Sequence, residues 1–151
     1  MDDSGILRDI EAAMVRIRRS IGRRSLGRAL LAELPPSVDN PDLALFAVLD
    51  AVEEGPAADS DVVTVGEVAE RTDQDPSRAS RNVAAAVGSG HLRRVASQRD
   101  ARRVGLELTA TGRELTEHAH RRRQAYFDAV MSGWTRAERT EFARLLTRFT
   151  T

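Results

Sequence analysis

The chain has 151 residues, 41% of them hydrophobic, with 23 basic and 23 acidic positions that cancel to a net charge of zero, a length and composition suited to one compact core. It has no run of about 18 apolar residues, and the start at Met1-Asp2-Asp3-Ser4 has neither a basic n-region nor an apolar h-region, so membrane insertion and secretion are not expected and a cytoplasmic location is. Cysteine is absent, which excludes disulfides, thiol nucleophiles and cysteine-based zinc sites.

From Ile6 to Leu34 the spacing of Ile6, Ile10, Met14, Ile17 and Ile21 predicts a helix with one apolar stripe, ended by Pro35-Pro36. Asp39-Asn40-Pro41 then offers a cap and a proline at the first helical position of a second helix. Leu43, Leu45, Phe46, Leu49 and Val52 make that helix mostly buried, and Gly55 stops it. Ala57 to Val63 reads as a polar surface loop.

Thr64-Val65-Gly66-Glu67 is a capping box, in which hydroxyl and carboxylate satisfy each other's orphan backbone donors, and it opens a short helix that buries Val65, Val68, Ala69 and Thr72. Asp73 and Gln74 turn the chain. Asp75-Pro76 starts another helix, whose Ala79, Val83, Ala86 and Val87 share one side at 100° per residue. The opposite side holds Ser77, Arg78, Arg81, Ala84, Ala85 and Gly88, flanked by Ser80 and Asn82. Long cations in the first turns and small residues further on suit a helix inserted N-terminus first into a major groove.

His91 to Ser97 and Val104 to Leu108 predict two strands around the polar tip Gln98-Arg99-Asp100-Ala101-Arg102-Arg103. Between Pro76 and Arg103 there are seven arginines and one acid, a local net of +6 in a neutral chain. This is the electrostatic footprint of a polyanion partner. Beyond Thr109 a helix carries Leu115, Ala119, Arg122, Tyr126 and Val130 on one side. A second capping box, Thr135-Arg136-Ala137-Glu138, launches a last helix with the stripe Phe142, Leu145, Leu146, Phe149. The stripes of the end helices call for a partner, and a symmetric dimer would bury them.

Other constellations read as structure. His118 and His120 point about 200° apart on a helix and do not chelate one ion, so no metal is expected. Glu53, Glu54, Asp59 and Asp61 flank a loop without ordered ligand spacing and read as solvated. Trp134 and Tyr126 read as packing at a helix junction. Without a phosphate loop or a nucleophile in recognisable context, catalysis is not expected, and no cofactor is implied.

The run Val65-Gly66-Glu67-Val68-Ala69-Glu70-Arg71, then Ser77-Arg78-Ala79-Ser80-Arg81-Asn82-Val83, Gly90, Asp100-Ala101-Arg102-Arg103 and Leu108-Thr109-Ala110-Thr111-Gly112 resembles the MarR family of bacterial transcriptional regulators. Each piece is common, and their joint order and spacing are specific. The resemblance implies a single domain, mainly α with a small β-wing: a winged helix-turn-helix over residues 64–108, flanked by dimerisation helices at 1–34 and 109–151. It implies a homodimer on double-stranded, pseudo-palindromic operator DNA, acting as a repressor relieved by a small aromatic effector. Carried over by position, the DNA-binding residues are Ser77, Arg78, Ser80, Arg81, Asn82, Arg99 and Arg102, with Arg102 in the minor groove, while Asp100 structures the wing by pairing with arginines. The sequence departs from the family pattern at Ala101, where arginine is common, at Ala86, where leucine is usual, at His91, where an apolar residue is usual, and in a longer loop from Gly55 to Val63. The alternative from another class is a winged-helix module that binds a protein and reads no DNA.

Overall fold

The computed structural model describes residues 3–22, 31, 34 and 42–150. Among them, α1 (Asp3–Gly22) is followed by α2 (Leu43–Glu53), α3 (Val65–Arg71), α4 (Pro76–Gly88), β1 (Leu92–Ala96), β2 (Val104–Leu108), α5 (Ala110–Val130) and α6 (Arg136–Thr150). The strands form one antiparallel hairpin, with Leu92 opposite Leu108 and Ala96 opposite Val104. This is the mainly helical, single-winged architecture that the sequence predicts.

The core forms around α2, which buries Phe46, Val48, Leu49, Ala51 and Val52 because α3, α4, α5 and β2 all pack on it. From α4 it receives Ala79, Val83 and Ala86, the side assigned by the helical spacing. From α3 come Val68 and Ala69, from the wing Leu92 and Leu106, and from α5 Leu115 and Ala119. Small residues on α4, Ala79 and Ala86, face the core beside α2. Arg71 ties α3 to α2 by donating to the Ala51 carbonyl at 2.6 Å.

Local chemistry sets the helix ends. The Thr64 hydroxyl accepts from Glu67 N at 3.2 Å and the Glu67 carboxylate accepts from Thr64 N at 2.7 Å, the reciprocal capping box. Asp75 caps α4 through Arg78 N, with Pro76 inside the first turn. Thr109 caps α5 through Gly112 N, and Thr135 and Glu138 form the second box ahead of α6. Gly90, at φ +77, makes the left-handed turn from α4 to the wing.

Several details differ from the sequence reading. The first helix is described only to Gly22, so its proposed extent to Leu34 and its Pro35-Pro36 stop lie outside the described residues. The expected Asp39-Asn40-Pro41 cap also falls outside them, and the observed cap of α2 is Asp42, which accepts from Ala44 N. The loop from Ala57 to Val63 is not all surface. Ser60, Val62 and Val63 are buried, and the Val63 carbonyl accepts from Leu106 N at 2.8 Å, adding a third, one-residue rung to the wing. Beside that rung β2 does not alternate as a simple strand would: Gly105 is buried flush against Val62, where a Cβ would fall 2.2 Å from the valine Cβ, while Val104 is 52% exposed.

Gly112 makes the closest backbone approach, since a Cβ there would sit 2.1 Å from the His91 carbonyl oxygen. Gly112→Ala is expected to destabilise the fold by roughly 1–3 kcal/mol through overpacking. Gly88, in the last turn of α4, faces open space. Gly88→Ala is expected to leave stability unchanged or raise it by up to about 1 kcal/mol. Denaturant midpoints that shift in the same direction for both variants would contradict this packing.

Candidate nucleic-acid interface

The exposed surface of α4 carries Ser77, Arg78, Ser80, Arg81, Ala84, Ala85 and Gly88. Its cations occupy the first two turns, beside the helix N-terminus whose dipole also favours an anion. Asn82 is set apart from this group: it is half-buried and its amide donates to Gln74 Oε1 at 2.8 Å, so in the free protein it braces the turn between α3 and α4.

The wing tip runs from Ser97 to Arg103 and is closed by Ser97 N to Arg103 O at 3.0 Å and Arg103 N to Asp100 O at 2.9 Å. The Asp100 carboxylate accepts from the backbone N–H of Arg102 at 2.9 Å, so it shapes the turn through the main chain and not through a guanidinium. Arg99 and Arg102 are both exposed at the tip.

The arginines divide by their partners. Arg71 pairs with Glu54 and Glu67, Arg93 with Glu107, Arg123 with Asp50, Arg139 with Asp128 and Arg144 with Glu141. Among the described residues Arg78, Arg81, Arg94, Arg99, Arg102 and Arg103 form no ion pair, and all six are exposed. The six arginines on α4 and the wing have no acid partner among the described residues and form one cationic face on a protein with no net charge.

Sequence reasoning missed Asp61. Its carboxylate, read as solvated, accepts from Ser97 Oγ at 2.6 Å, Gln98 N at 2.6 Å and Arg99 N at 3.2 Å, and these bonds, Ser97 foremost, hold its pKa below the ordinary aspartate value. Glu53 and Glu54 are likewise engaged, with His120 and Arg71. Among the described residues no three His, Asp or Glu side chains cluster as a metal site. Trp134 meets Phe142 edge-on at 5.2 Å between ring centres, packing the approach to α6.

His91 links α4 to β1. It is 1% exposed, its Nδ1 lies 2.8 Å from Ser89 Oγ and its Nε2 has no partner among the described residues. The ring lines a cavity of about 160 Å³ with Asp42, Leu45, Asn82, Ala85 and Ser89, in which Asp42 is the one acid. Burial pushes the His91 pKa below the ordinary value, so the folded state favours the neutral ring. An unfolded histidine titrates near about 6.5, so the His91 contribution is intact above that pH and is lost as pH falls through the folded pKa. His91→Leu is expected to flatten the stability profile in that window relative to the parent, measured by denaturant unfolding from neutral to mildly acidic pH. An identical slope in both proteins would contradict the neutral-ring assignment.

Residues 43–103 match the MarR family model. No curated protein matches the chain. Among solved structures, a MarR family protein from Bacillus stearothermophilus is 21% identical with a TM-score of 0.75, covering 99% of this chain and 96% of its own. The transcriptional regulator BldR from Sulfolobus solfataricus is 19% identical with a TM-score of 0.65, covering 98% and 99%. BpsR from Bordetella bronchiseptica, whose DNA binding is regulated by 6-hydroxynicotinic acid, is 21% identical with a TM-score of 0.58, covering 92% and 99%. From α2 to the wing tip the chain matches the MarR family model, and over nearly its whole length it shares the fold of these solved structures.

Proposed function

We propose that the protein is a homodimeric transcriptional regulator that binds pseudo-palindromic DNA as a repressor and is relieved by a small aromatic effector. The observation that carries this reading is the unpaired cationic face on α4 and the wing of a protein with no net charge. Arg78 and Arg81 meet base edges or phosphates in the major groove, Ser77 and Ser80 add short hydrogen bonds, and Arg102 with Arg99 enters the flanking minor groove. Asn82 serves the same helix from its flank, and Asp100 shapes the turn that presents Arg102.

The end helices support the dimer. The stripe of α6 leaves Phe142, Leu145, Leu146 and Phe149 between 41% and 66% exposed, and Ile6, Ile10, Met14 and Ile17 of α1 are exposed between 38% and 50%. No residue of α6 is buried. Two continuous apolar stripes on long helices, at the two ends of one chain, fit burial against a second copy and would set two reading heads about 34–36 Å apart. The effector rests on the family and on the ligand response of BpsR. No helix among the described residues is long and apolar enough to cross a membrane.

The test is fluorescence anisotropy of the full chain on the duplex upstream of its own reading frame, against a scrambled duplex, across a salt series. Specific binding is expected to exceed the scrambled control by roughly a thousandfold. Arg81→Ala is expected to cost about 1–3 kcal/mol with relaxed specificity if it reads a base, or to lower the salt slope by about one unit if it meets a phosphate. Equal binding of about 10⁻⁴–10⁻⁶ M to both duplexes would favour the protein-binding module instead.

A further inference from the structure

A hairpin of two five-residue strands with a seven-residue tip has few means of holding its own direction. The tip of this wing turns three successive backbone N–H groups, those of Gln98, Arg99 and Asp100, toward one concavity, an arrangement that attracts an anion. The anion there belongs to the protein. Asp61 reaches across from the loop between α2 and α3 and accepts from Gln98 N, Arg99 N and the Ser97 hydroxyl, whose oxygen in turn accepts from Arg99 N at 3.1 Å and Asp100 N at 3.0 Å.

The loop that delivers Asp61 is itself fixed. Ser60 Oγ donates to Val62 O at 2.7 Å and accepts from Val62 N, Ala57 N donates to Glu67 at 3.2 Å, and Val63 bonds Leu106 at the middle of the second wing strand. The wing is therefore held at two heights, by Val63 on its second strand and by Asp61 at its tip. Both holds come from a segment anchored to α2 and α3.

We propose that Asp61 is a positioning residue for DNA recognition: by filling the backbone concavity of the wing tip it fixes the direction in which Arg99 and Arg102 are presented to the minor groove. This rests on the DNA-reading function proposed above, and it gives the long loop from Gly55 to Val63 a task. A carboxylate suits the task because it offers only acceptors to a set of converging donors. Asparagine at the same place would turn an N–H₂ group toward them.

Asp61→Asn and Ser97→Ala in the full chain test it in two arms. In the free protein, NMR amide exchange is expected to lose protection at Gln98 and Arg99 in both variants, while Val68 and Val83 in the core keep theirs. On duplex DNA, Asp61→Asn is expected to weaken binding roughly tenfold. In a double-mutant cycle it is expected to add little to the loss caused by Arg102→Ala, because both act through the same contact. Unchanged protection at Gln98 and Arg99, or losses from Asp61→Asn and Arg102→Ala that multiply independently, would overturn the proposal. A parent chain that binds no duplex would defeat the DNA-reading function, and the amide arm would still decide whether Asp61 holds the tip.

Discussion

At His91 the reading helix, the wing and the long helix α5 are fastened to one another. Its backbone N–H donates to Ala86 O at the end of α4, its carbonyl accepts from both the backbone and the hydroxyl of Thr109, and Gly112 lies against that carbonyl with no space for a Cβ. The same threonine caps α5 by accepting from Gly112 N. A shift at this junction would move α4 relative to the wing and both relative to α5, because all three share these backbone bonds.

Charge is distributed to match. Arg123 grips Asp50 through two bonds of 2.7 Å, joining α5 to α2, and Arg71 joins α3 to α2. These guanidiniums are partly shielded from water, where an ion pair with two hydrogen bonds retains more of its strength than on an open surface. The arginines of α4 and the wing tip have no such partners. An isolated cation on the surface contributes little to folding, and their clustering on one face is the feature on which the proposed recognition of a polyanion rests.

How much was legible in the sequence depended on how local the cause was. Capping boxes at Thr64 and Thr135 each span four residues and both are present. The core side of α4 followed from helical spacing alone. The wing resisted because its pattern is set from elsewhere: Val62 packs on Gly105 and Val63 pairs with Leu106, which buries a glycine and exposes Val104 against simple alternation. Asp61 was read as solvated because its partners lie 36 to 38 positions away, a separation that no local pattern records. Spacing puts Asn82 on the flank of α4 and the resemblance adds it to the DNA-binding residues, whereas only the fold brings Gln74 within its reach.

The stripes of α1 and α6 were readable as apolar faces, and the described fold leaves them uncovered. The central claim joins those faces to the cationic head: two copies paired through their end helices present two reading helices to successive turns of one duplex. Hydroxyl-radical footprinting of the bound duplex tests this most directly. The account predicts two protected patches on one face of the DNA, related by two-fold symmetry and separated by about 10 base pairs or a multiple of that. A single patch, the footprint of one head alone, would contradict it.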